Sequence, residues 1–161
     1  MRPDTDGGAF PEHRMRLTPV PPCRILLIDD YAVFRQSLAM LLRSAGHHVV
    51  EAESGSTGIA RLRQESLDLV LTDRDMPGLT GWDVALLVKI THPRLPVVLV
   101  TGGAEGDAAH QGARNQVDAI LRKPFPFPEL LALIARMTGG ACSSVRPRDV
   151  PHFCSTVADS A

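Results

Sequence analysis

The chain has 161 residues, of which 44% are hydrophobic and 22% charged, and its formal net charge at pH 7 is -1. That length supports one domain with a full core plus some length for tails. The near-neutral charge argues against direct DNA binding, which selects clustered Lys and Arg, and no apolar run approaches the roughly 20 residues of a membrane helix.

Residues Met1 to Pro22 contain five prolines, two glycines and little periodicity, which predicts a flexible tail. The N-terminus has arginines but no apolar stretch behind them, so it does not read as a secretory signal. Cys23, Cys142 and Cys154 are odd in number and lack CxxC spacing, so free thiols in a reducing cytoplasm are expected, and no zinc site. The six histidines are scattered, and solvated surface is their default.

From Cys23 the pattern tightens. Ile25-Leu26-Leu27-Ile28 is a continuous apolar strand ending on Asp29-Asp30. Phe34, Leu38, Leu41, Leu42 and Ala45 then recur at helical spacing, with Gly46 placed as a helix stop. A short strand follows at His48-Val49-Val50, then a helix over Ser54 to Glu65 weakened by Gly55 and Gly58. Leu69-Val70-Leu71-Thr72 is apolar up to Asp73, where Arg74-Asp75-Met76-Pro77-Gly78 turns the chain. Further on come a helix from about Trp82 to Ile90 and a strand at Pro96 to Val100, closed by Thr101-Gly102-Gly103. Val117 to Leu121 is a fifth strand running into Lys123-Pro124-Phe125, and the last helix spans Glu129 to Met137 with Pro128 near its start. Between these, Ala104 to Asn115 holds Gly106 and Gly112, and its only apolar side chains are alanines, so any helix there is marginal. Beyond Gly139-Gly140 the chain is polar and uneven, and predicted to be disordered. The expected organisation is a tail at 1–22, one domain at 23–138 and a second tail at 139–161. Strands alternating with helices predict right-handed βαβ crossovers and an α/β fold with helices on both faces of a parallel sheet.

Open α/β sheets keep their chemistry at the C-terminal edge of the strands. Asp29, Asp30, Asp73, Thr101 and Lys123 all follow strand ends. Acids held close together repel, and a divalent cation such as Mg2+ relieves that repulsion through hard oxygen ligands. Asp73, already ionised, can act as a nucleophile toward phosphorus, with Lys123 and Thr101 sharing the charge on the transferred oxygens. Each residue alone has a plainer explanation: Asp73 as a turn former, Asp29 or Asp30 as a helix cap, Thr101 as a strand-end cap, Lys123 as surface charge.

Over Arg24 to about Met137 these residues resemble the receiver domain of two-component response regulators. The resemblance implies a doubly wound, flavodoxin-like five-stranded sheet of order 2-1-3-4-5. It further implies that Asp73 is the phosphoacceptor, that Asp29, Asp30, Asp73 and the backbone carbonyl of Asp75 hold Mg2+, and that Thr101 and Lys123 complete the site. Receivers usually have a cis peptide where Lys123-Pro124 stands. Implied partners are a histidine kinase or histidine phosphotransfer protein and an unknown downstream protein. On this reading the chain is a cytoplasmic phosphorelay switch without an output domain, and not a turnover enzyme. Three departures are visible: Ile120 stands where the family usually has a switching aromatic, Gln116 replaces a common glycine, and the segment before strand five lacks large apolar residues. The alternative is a Mg2+-dependent phosphohydrolase of the haloacid dehalogenase type, whose nucleophile-x-acid spacing Asp73-Arg74-Asp75 matches. Its further acidic pair would come late, however, whereas Asp29-Asp30 come early.

Overall fold

The computed structural model describes residues 21–103 and 113–139. Five strands, β1 (Arg24–Ile28), β2 (His48–Ala52), β3 (Leu69–Asp73), β4 (Val97–Thr101) and β5 (Ala119–Arg122), form one sheet. All pairings are parallel and the order is β2-β1-β3-β4-β5, as the sequence resemblance implies. Four α-helices are described: α1 (Ala32–Ser44), α2 (Gly55–Leu62), α3 (Gly81–Thr91) and α4 (Phe127–Met137). The marginal helix expected at Ala104 to Asn115 falls mainly outside the described residues. The chain re-enters at a single 3-10 turn, Ala113–Gln116.

Alternation along the strands divides the core in two. Ile25 and Leu27 of β1, Leu69 and Leu71 of β3 and Val98 of β4 pack with Leu38 and Leu42 of α1 and with Leu130 and Ile134 of α4. Leu26, Ile28, Val70 and Val97 face the other way, toward Leu62 of α2 and Val84 and Val88 of α3. A sheet covered on both faces explains why its inner strands read as unbroken apolar runs. Between β1 and β3 the winding direction reverses, which is where open α/β sheets bind their ligands.

Local chemistry sets the helix ends. Ser54 accepts from the Thr57 N–H and Thr80 from the Asp83 N–H, each within a reciprocal capping box. Gly46 ends α1 at φ +94°, the left-handed geometry the stop signal requires. The glycines that weaken α2 on propensity serve contact: a Cβ at Gly58 would collide with Ile28 of β1. Two expectations fail here. His47 is buried, with its Nδ1 accepting from the Cys23 N–H at 3.3 Å, and burial pushes its pKa down. Cys23 is disulfide-bonded, so the free-thiol expectation does not hold at this position.

Gly81 begins α3 directly against the end of β3. A Cβ there would collide with the Asp73 carbonyl oxygen and lie 2.6 Å from Leu99 Cδ1 and 3.0 Å from Arg74 Cα. Two of those three neighbours are backbone atoms that cannot swing aside. Gly81→Ala is therefore predicted to cost about 1–3 kcal/mol of stability. Gly102→Ala, which meets nothing within 4 Å, should change stability by less than about 0.5 kcal/mol. Urea unfolding of both variants checks this, and equal midpoints would refute the packing assignment.

Candidate functional site

Asp29 follows β1, Asp73 ends β3 and Thr101 ends β4, so three polar residues arrive side by side at one sheet edge. They are only 2%, 9% and 5% exposed, against the habit of such residues to stay in water. The fourth member comes from the far side. Past β5, the Lys123 N–H donates to the Thr101 carbonyl at 2.7 Å, which extends the ladder and brings the Lys123 side chain back over the site. Its ammonium donates to Asp73 Oδ1 at 2.7 Å and to Asp29 Oδ2 at 2.9 Å. The Lys123-Pro124 peptide is cis, as the resemblance implies.

The other two carboxylate oxygens are bound by backbone. Tyr31 N–H donates to Asp29 Oδ1 and Asp75 N–H to Asp73 Oδ2, both at 2.9 Å. Asp29 thus does serve the turn into α1, as its plainer reading suggests, while its second oxygen belongs to the site. The Phe34 ring lies 4.0 Å from the Lys123 ammonium and stands edge-on to Phe125. A cation over a ring face is attracted by the quadrupole and shielded from water. The sequence shows Phe34 only as one apolar position in a helical repeat, so its role against Lys123 is not legible there.

Burial pushes the Asp73 carboxyl above its ordinary value, with the Asp29 charge adding to this, while Lys123 and the Asp75 N–H pull the other way. For Lys123, burial by itself lowers the pKa, but the hydrogen bonds and charges of Asp73 and Asp29 together outweigh it and the net shift is upward. The signs matter for stability. Asp73 loses stability for the fold as pH rises from 3.8 through its raised value, because the folded state holds that proton longer. Lys123 contributes stability that is complete below 10.5 and disappears as pH rises through its own raised value.

The remaining expected residues lie on the rim. Asp30 is exposed and does not complete a three-acid cluster; no group of three or more His, Cys, Asp or Glu able to hold a metal occurs among the described residues. The Asp75 carboxylate turns outward to Arg74, whose Nε reaches it at 3.0 Å and Nη2 at 2.8 Å. Ile120, in the place of the family's aromatic, is 37% exposed on β5. Chemically the site offers two buried carboxylates and an ammonium. Each of the four carboxylate oxygens takes one N–H and retains capacity for a second partner. Hard oxygens with free lone pairs suit Mg2+.

These couplings predict how Asp73 titrates. Lys123→Ala should move its carboxyl pKa further up, by removing the nearby cation, and Asp29→Asn should move it down. Carbon-detected NMR of the Asp73 carboxyl reads both, and a titration that ignores Lys123→Ala would show that the ammonium is not its partner in solution.

The model of the response regulator receiver domain family matches residues 25–135. Response regulator protein FleR of Pseudomonas aeruginosa is 34% identical over 113 residues, covering 70% of this chain and 24% of FleR. The chain therefore spans about a quarter of that relative's length. Chemotaxis protein CheY of the same organism is 34% identical over 105 residues, or 63% of this chain and 85% of CheY. Among solved structures, response regulator TrrA of Thermotoga maritima in complex with Mg(2+)-BeF superposes with a TM-score of 0.64 at 26% identity, covering 71% of this chain and 98% of TrrA. Since the family model spans most of the sequence and ends within α4, the chain belongs to the response regulator receiver domain family.

Proposed function

We propose that Asp73 accepts a phosphoryl group from a histidine kinase or histidine phosphotransfer protein, and that the modified surface then engages a downstream protein. The observation that carries this reading is the Lys123 ammonium bridging Asp29 and Asp73 at 2.9 and 2.7 Å inside a buried pocket. A structural ion pair needs one acid. Two acids on one cation leave a net negative site, and a carboxylate oxygen there is a nucleophile that requires no general base. In the transfer, an Asp73 oxygen forms the new P–O bond while the donor's P–N bond breaks, its electron pair returning to the imidazole. Lys123 would follow the charge onto the phosphoryl oxygens, and the Thr101 hydroxyl, which now accepts from the Gly103 N–H at 3.2 Å, would turn to donate to them.

Mg2+ would be held by Asp29, Asp73 and the Asp75 carbonyl, with Asp30 acting through water. When bound it neutralises charge on the oxygens of the transferred group. The Mg(2+)-BeF complex of TrrA supports this part of the reading. Beside Lys123, a cleft of about 470 Å³ is lined by Phe34, Leu38, Leu41, Pro124, Phe125 and Phe127. An apolar cleft adjoining the acceptor suits the docking of a donor protein that must bring its histidine within bonding distance.

Two outcomes are expected. With phosphoramidate and Mg2+, intact mass should increase by one phosphoryl group, and Asp73→Asn should abolish the increase. Continuous release of phosphate from a small ester, with no adduct on Asp73, would favour the phosphohydrolase alternative. Asp30→Ala should weaken Mg2+ binding on the order of tenfold through the lost outer ligand while circular dichroism stays unchanged. Undiminished metal affinity in that variant would place the site elsewhere.

A further inference from the structure

Arg74 follows the acceptor directly, yet its side chain is only 17% exposed whereas that of its partner Asp75 is 64% exposed. An arginine is rarely this covered unless something holds it. Its guanidinium grips the Asp75 carboxylate with two nitrogens, Nε at 3.0 Å from both oxygens and Nη2 at 2.8 Å from Oδ2. On its other side it occupies the space left by Gly103, where a Cβ would collide with Nη2. Both contacts belong to the site's own loops. Asp75 donates its N–H to Asp73, and Gly103 donates its N–H to the Thr101 hydroxyl. Arg74 therefore links the loop after β3, which carries Asp75, to the loop after β4, which carries Gly103.

We infer that Arg74 is a positioning residue that holds and neutralises the Asp75 carboxylate at the mouth of the pocket, and thereby sets how fast an anionic phosphodonor reaches Asp73. The inference rests on Asp73 being the acceptor. The approaching donor carries its own negative charge, so an unpaired carboxylate on the rim repels it and a neutralised one does not. The fork geometry matters because a planar guanidinium holds a carboxylate in one place, which a lysine ammonium does not. Gly103 borders the device, since a side chain there would have to displace the guanidinium from this seat.

The test compares phosphorylation rates from two small donors, dianionic acetyl phosphate and the less negative phosphoramidate, at low and high salt. With acetyl phosphate, an Asp73 oxygen forms the P–O bond as the donor's P–O bond breaks and acetate leaves. Arg74→Ala should slow this reaction about three- to tenfold at low salt, less with phosphoramidate, and less again at high salt. Asp75→Asn should accelerate it, and the double variant should return close to the parent rate. Gly103→Ala, which displaces the guanidinium without removing it, should slow it in the same donor-dependent way. Equal donor ratios and equal salt dependence across the set would overturn the inference while leaving the function intact. Absence of any adduct in the parent chain would overturn both. Melting temperatures of each variant separate a rate effect from lost folding.

Discussion

One ammonium group holds the functional edge of this protein together. Asp29 and Asp73 enter the same pocket from adjacent strands, and two carboxylates so close repel each other. Lys123 relieves this by donating to both. The arrangement depends on β5 lying at the sheet's far edge, with two strands between it and β1. From there the lysine has to return across the strand ends, and the backbone bond from its N–H to Thr101 together with the Phe34 ring beneath its ammonium define that path. Nothing local to Lys123 would place it there.

The same interaction joins a charged pocket to a regularly packed fold. Asp73 is held above its ordinary pKa mainly by burial, so its ionised form is costly to the apo fold. Such a cost is tolerated where the charge has work to do. The surrounding packing compensates: β3 and β4 are buried along their whole length, and α3 begins on the Asp73 carbonyl with a glycine as its first residue. Charge is thus concentrated at the strand ends and the loops after them, while the layers beneath are apolar.

Much of this was legible in the chain because parallel sheets leave a strong linear trace. Unbroken apolar runs that stop on an acid, and helical repeats between them, mark both the elements and the edge where chemistry collects. Asp29, Asp73 and Thr101 each stand one step past, or at the end of, such a run, and Lys123 stands two steps past Leu121. Helix ends were nearly as readable, since Ser54, Thr80 and Gly46 act through their own local geometry. The burial of His47 is not legible in the sequence because its environment is made by Cys23, distant in sequence and adjacent in space. The roles of Phe34 and of Arg74 were hidden for the same reason, one waiting on Lys123 and the other on Gly103.

The sequence by itself determined the order of elements, the sheet edge that carries the site and the residue types available there. These follow from periodicity and turn chemistry, which act between near neighbours. Which acids share the lysine was decided only by tertiary structure. Asp29 and Asp73 meet on its ammonium, Asp30 remains exposed, and Asp75 turns to Arg74. The physical reason is that a charge pairs with whatever the crossing of strands brings within about 3 Å. That distance is set by the register and winding of the whole sheet.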